Sequence, residues 1–153
     1  MRILFNTYPV AFDCPGGGEV QLTQYRRALQ RAGVDVPLFD LWHPRFHDVD
    51  LVHYFSVQGG SMNFCDHVKR RGLGLVISPV LWITDDNRGD LPLGEIRDLL
   101  HRADLALPNS QSEADLLATE FNLSADRFAV VHNGVDASFG HDVAGDLFRE
   151  SFG

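Results

Sequence analysis

Short apolar runs alternate along the chain with stretches whose hydrophobic positions recur every three or four residues. Ile3-Leu4-Phe5 reads as a strand; Leu22, Tyr25, Leu29 and Ala32 then share one helical face, and Gly33 supplies a stop. Residues 34–41 predict a second strand, with Pro37 inside it, a residue best tolerated at a sheet edge. Leu51-Val52-His53-Tyr54-Phe55 predicts a third strand, 61–71 a helix, and Leu75-Val76-Ile77 a fourth strand. A helix over 93–102 turns Ile96, Leu99 and Leu100 inward before a fifth strand at Leu105-Ala106-Leu107. Ser110, with Glu113 three residues on, has the form of a capping box opening another helix, and 128–131 predicts a sixth strand. Strands alternating with helices predict an α/β fold: a Rossmann-like parallel sheet with helices on both faces and right-handed crossovers. No repeat or low-complexity tract interrupts the alternation. The longest irregular stretch, 80–92, carries the polar run from Thr84 to Asp90 and predicts a mobile surface loop bordering a cleft.

Candidate chemistry gathers where predicted strands end. Pro15-Gly16-Gly17-Gly18-Glu19 follows the first strand and opens the first helix. Residues without Cβ atoms take positive φ freely and let a ligand approach the backbone, while the helix start offers unpaired N–H groups. A flexible turn between strand and helix would need the same glycines. Glu19 disfavours a simple phosphate cradle, because a carboxylate in the first helical turn repels phosphate; amides for phosphate beside a carboxylate for hydroxyl groups is the more natural combination. His53 falls late in the third strand, the end where open α/β sheets bind ligands, although a lone strand histidine is more often a buried, hydrogen-bonded structural residue. His132 has a similar position at the sixth strand. Asn109 and Ser110 close the fifth strand; Ser110 has a sufficient role as helix N-cap, so a ligand contact there would come from Asn109 or the free amides.

Late in the chain, Val130-Val131-His132 runs into Asn133-Gly134-Val135-Asp136 and Phe139, an apolar run halted by an Asn-Gly turn signal. This segment resembles the interdomain junction of retaining GT-B glycosyltransferases of family 4. The Gly-Gly-Gly-Glu segment at Gly16 to Glu19 is similar to that family's N-terminal glycine loop, and Asp50-Leu51-Val52-His53 and the stretch from Ala103 to Ser110 follow in the family's order. The resemblance implies an N-terminal domain over 1–136, the start of a linker over 137–153, and a C-terminal donor-binding domain that the 153 residues do not contain. It implies sugar transfer from a nucleotide-sugar to a sugar or lipid-linked acceptor with retention, this half shaping the acceptor side and being inactive alone. Gly16, Gly17 and Gly18 would then approach the donor diphosphate or the acceptor, with His53, Asn109, Ser110, Asn133 and Gly134 along the same cleft. One departure stands out. Many relatives carry a histidine after the fourth strand, where this chain has Ser78-Pro79-Val80-Leu81-Trp82. Either Ser78 and Trp82 line the site in its place, the indole offering a flat surface to a sugar, or the acceptor chemistry has diverged; the plainer alternative is that Trp82 anchors the loop.

Composition narrows the alternatives. A formal net charge of -8 disfavours any nucleic-acid surface, and Lys69-Arg70-Arg71, ending a helical pattern, is placed to complement the helix dipole. Cys14 and Cys65 occupy unrelated contexts and read as reduced thiols. The first apolar run is too short for a signal-peptide core or a membrane span, so a cytoplasmic location is the default, with peripheral association at the inner membrane face left open. Asp85-Asp86 reads as solvated loop, and Pro44 between His43 and His47 argues against a helical zinc pair, so no metal is expected. No cofactor is expected either, the nucleotide-sugar being a substrate. A stand-alone small-ligand-binding or regulatory domain is the second reading. An oxidoreductase domain is a weaker third, because position 21 is Gln where the dinucleotide fingerprint has Gly.

Overall fold

The computed structural model describes residues 1–57, 60–135 and Glu150. Its centre is a parallel sheet in the order β1 (Ile3–Asn6), β2 (Leu51–Phe55), β3 (Gly74–Ser78), β4 (Leu105–Ala106). Leu4 pairs with Val52, Val52 with Leu75, and Ile77 with Ala106. Four helices accompany it: α1 (Gly17–Arg31), α2 (Met62–Arg70), α3 (Leu93–Arg102) and α4 (Gln111–Phe121). This is the Rossmann-like α/β architecture that the alternation predicts.

Strand periodicity sorts the core into two layers. Leu4, Val52, Tyr54, Leu75 and Ile77 face α2, α3 and α4, which contribute Cys65, Val68, Ile96, Leu99, Leu100, Leu117 and Phe121. Ile3, Phe5 and Phe55 face the other way, against Leu22, Tyr25 and Leu29 of α1. Each such side chain, fully buried, stabilises by about 1.5–3 kcal/mol. Ala32 lies outside this face, exposed at the helix C-cap.

Both outer strands predicted from the sequence survive only in part. Over 34–41 the backbone is hydrogen-bonded to β1, with Ile3 N donating to Asp35 O, Phe5 N to Pro37 O and Phe39 N to Phe5 O. Pro37 has no N–H to return, so isolated parallel bridges at Asp35 and Leu38 replace a ladder, on an edge as expected. At the opposite edge a bridge joins Phe128 to Ala106, and Val131 N donates to Pro108 O.

The stretch 80–92 is more anchored than its composition predicts. Leu81 and Ile83 are buried, a 3-10 turn spans Arg88–Asp90, and Arg88 makes a two-pronged ion pair with Glu120 of α4. Asp85 and Asp86 face solvent. Lys69 does not simply offset the α2 dipole either, because both oxygens of Asp104 lie 2.7 Å from its Nζ. Cys14 is exposed and Cys65 buried, burial chiefly pushing the Cys65 thiol up to about 12. No described helix is long and apolar enough to cross a membrane. The expected linker from 137 onward, with Asp136 and Phe139, lies outside the described residues save Glu150.

Candidate functional site

Topology singles out one gap in the sheet. From β1 the chain passes through α1 to the edge segment on the outer flank of β1, then crosses back to β2 on its inner flank and runs steadily outward to β3 and β4. Right-handed crossovers in opposite directions put α1 on one face and α2 to α4 on the other. The carboxyl ends of β1 and β2 therefore diverge into a crevice, the position where open α/β sheets take ligands. A cavity of about 420 Å³ occupies it, lined by Thr7 and Tyr8 after β1, Phe55 and Ser56 at the end of β2, Gly18 and Glu19 in the first turn of α1, and Val80 after β3.

The cavity walls carry unusual backbone. Ser56 has φ of 95° and Val80 φ of 49°, two of the three non-glycine positive-φ residues among those described. For β-branched Val80 this region is strained, and such strain concentrates where structure is held for function. Ser56 N donates to Ser78 O, and Thr7 Oγ1 donates to Phe55 O at 2.9 Å across the β1–β2 gap.

Glycine serves a different purpose here from the one expected. Gly16 is extended with φ of −112°, and neither Gly17 nor Gly18 has positive φ. A Cβ at Gly17 or Gly18 would meet nothing within 4 Å. The fold thus needs glycine at neither position; the space in front of α1 is simply left open. Glu19 Oε2 accepts the Gly16 N–H at 2.7 Å, and Gly16 has no side chain with which to cap the amides behind it. Tyr8 stands beside this carboxylate, and burial together with the Glu19 charge holds its phenol above the ordinary range.

His53 and Ser78 meet each other rather than the cavity. Both are buried, with His53 Nε2 2.9 Å from Ser78 Oγ. The imidazole stacks on Phe55 at 4.1 Å between centroids and meets the Phe5 ring edge-on. Burial holds its pKa down at about 3, so the ring is neutral at physiological pH and unsuited to proton transfer there.

Asn109 and Ser110 belong to a second polar cluster. Ser110 Oγ accepts the Glu113 N–H at 3.1 Å, the expected N-cap. The Glu113 carboxylate reaches further than a capping box: it accepts Asn109 N at 2.7 Å and, from the loop after β3, Leu81 N at 3.0 Å. Gln21 of α1 donates Nε2 to Asn109 Oδ1 at 2.6 Å, leaving its own buried Oε1 without a partner. His132 Nδ1 is hydrogen-bonded to Asn109 O, and Tyr25 Oη donates to Val131 O. These bonds tie the approach to Asn133 and Gly134 to α1, the helix that begins at the glycine run, with Asn133 and Gly134 themselves exposed. Trp82 is 53% exposed, so Leu81 and Ile83 on either side anchor the loop in its stead.

Of the residues singled out from sequence, Gly18 and Glu19 line the cavity, Gly16 and Gly17 directly precede them in the chain, and His53, Ser78, Trp82, Asn109, Ser110, Asn133 and Gly134 are not among its lining residues. Thr7, Tyr8, Phe55, Ser56 and Val80 were missed. Their signal is positional: they lie at or just beyond strand ends, and choosing among strand ends requires the strand order.

Sheet, crevice and glycine run define a Rossmann-like α/β unit that matches one half of a GT-B glycosyltransferase structure. That structure is HepE from Anabaena. In complex with UDP-glucose it superposes with a TM-score of 0.69 at 18% identity, covering 99% of this chain and 50% of HepE. The complexes with UDP and with UDP plus glucose give TM-scores of 0.66 and 0.69 at 16% and 17% identity, with the same coverage. At such identities the likeness is one of fold, and the chain spans about half the length of these neighbours. Neither a protein-family model nor a curated protein sequence matches the chain.

Proposed function

We propose that this chain is the acceptor-side half of a GT-B glycosyltransferase that moves a sugar from a nucleotide-sugar to an acceptor with retention of anomeric configuration, as the family 4 resemblance implies. The observation that carries the reading is the open glycine rim. Gly17 and Gly18 stand at a switch-point cavity, and nothing in the described chain explains the missing Cβ atoms. Room for another molecule does explain them. Solved neighbours of the same fold hold UDP and UDP-glucose, ligands that bring a diphosphate and a sugar together.

Sugar transfer requires the leaving diphosphate to be stabilised as the glycosidic bond breaks. Amides fixed at the start of α1 are preorganised donors for that developing charge, with no reorganisation needed at the moment of reaction. The cavity behind them holds the acceptor. Among the described residues its lining contains no Lys, Arg or His, so the remaining positive charge for the diphosphate is supplied by a second half.

The test is the longer protein. With the chain joined to whatever follows Gly153 in its reading frame, UDP-sugars and other nucleotide-sugars are offered with acceptor sugars, and transfer and anomeric configuration are read by NMR. Retained products, lost on Gly17→Val, support the proposal. A reading frame that stops at Gly153, with tight small-ligand binding and no transfer, would establish the stand-alone binding domain instead.

A further inference from the structure

We propose that the switch-point cavity receives a neutral, hydroxyl-rich ring of the acceptor and rejects an anionic one, with Glu19 as the residue that decides between them. The inference deepens the reading of this cavity as the acceptor site and rests on it. At about 420 Å³ the cavity falls within the ~300–1,000 Å³ typical of small-molecule sites. Its polar groups are the Thr7 and Ser56 hydroxyls, the Tyr8 phenol and the Glu19 carboxylate, set beside the apolar surface of Val80.

That combination suits a sugar ring, whose hydroxyls both donate and accept while its C–H face is apolar. Glu19 accepts only, and one of its oxygens is already held by the Gly16 amide, which fixes the carboxylate in place. Thr7 Oγ1, which donates to Phe55 O, keeps lone pairs that can accept from a ring hydroxyl. An anion brought into the same space meets a buried like charge and no described cation lining the wall. Charges of one sign within a few ångströms of each other in a partly desolvated site repel strongly.

The probes are neutral methyl hexosides and the matching hexuronates, titrated into the isotope-labelled 153-residue chain by amide-shift NMR. We expect the neutral sugars to shift Gly18, Glu19 and Ser56 and to bind at least about tenfold more tightly than the uronates, equivalent to about 1.4 kcal/mol. Glu19→Gln keeps an oxygen for the Gly16 amide and removes the charge, so the ratio should fall below about threefold. Tyr8→Phe keeps the charge and should keep the ratio while weakening both classes. Uronates binding as tightly as neutral sugars, a ratio unmoved by Glu19→Gln, shifts confined to other surfaces, or no shifts up to about 100 mM of either class would each overturn the inference. Failure here is separable from failure of the transferase reading. Transfer by the longer protein without this selectivity removes only the role of Glu19, whereas selectivity in a protein that transfers nothing removes only the reaction.

Discussion

At the scale of single residues, Gly17 and Gly18 separate what the fold needs from what a ligand needs. In the first turn of α1, with negative φ and empty space where a Cβ would project, alanine is compatible with the backbone and reduces the entropy of the unfolded chain. Gly17→Ala and Gly18→Ala are therefore expected to stabilise the chain by about 0.4–1 kcal/mol each in urea denaturation. The same changes should weaken sugar binding at the cavity, Gly18→Ala more than Gly17→Ala. His53 behaves in the opposite way, since its role is structural. Folding lowers its pKa from about 6.5 to about 3, so between those values the unfolded chain holds a proton that the folded chain does not. Stability is unaffected by this group above pH 6.5 and is lost as pH falls below it, by about 1.4 kcal/mol per unit. His53→Gln, which does not titrate, should lower the stability difference between pH 7 and pH 5 by about 2 kcal/mol. The sequence offered His53 as either a ligand residue or a buried partner, and nothing in a linear string could show Ser78 waiting 2.9 Å away.

Elements were legible where helical periodicity and capping agreed. Ile96, Leu99 and Leu100 are buried as their spacing requires, and Ser110 caps α4 as its spacing to Glu113 requires. Edges were less legible because a strand exists only through its partner: the 34–41 run is apolar enough, but Pro37 and a single neighbour leave isolated bridges. The 80–92 stretch is more anchored than its composition suggests for a related reason. Its polar residues outnumber its anchors, yet Leu81, Ile83 and the Glu113 carboxylate fix it. Glu113 thus serves two elements at once, and the contrast with its cap partner measures this. Ser110→Ala should cost about 1 kcal/mol, the usual loss for an N-cap. Glu113→Ala leaves the Leu81 and Asn109 amides without acceptors and should cost about 2–4 kcal/mol, with Glu113→Gln falling between the two. Equal costs for Ser110→Ala and Glu113→Ala in denaturant melts would mean that the bridge to Leu81 contributes nothing.

For the molecule as a whole, the decisive property is strand order, which puts the switch between β1 and β2 and makes Thr7, Tyr8 and Ser56 into cavity walls. Sequence alternation supplied the four helices and the four central strands but not the side on which the chain left β1, because either flank satisfies the same hydrophobic pattern. Charge distribution then sets what the unit can bind unaided. A chain of net charge -8, whose cavity is lined by a carboxylate and hydroxyls, offers a nucleoside diphosphate little beyond the amides at the start of α1. A diphosphate carries at least two negative charges into that field, and at low salt the repulsion is felt over about 10 Å or more. Calorimetry of UDP-glucose with this chain should therefore show a Kd weaker than about 1 mM, tightening as ionic strength rises from about 0.01 to 0.15 M. A favourable interaction with cationic side chains would weaken with salt instead. Micromolar affinity that falls with salt would place the donor site in this half and reverse the assignment of donor and acceptor between the two halves.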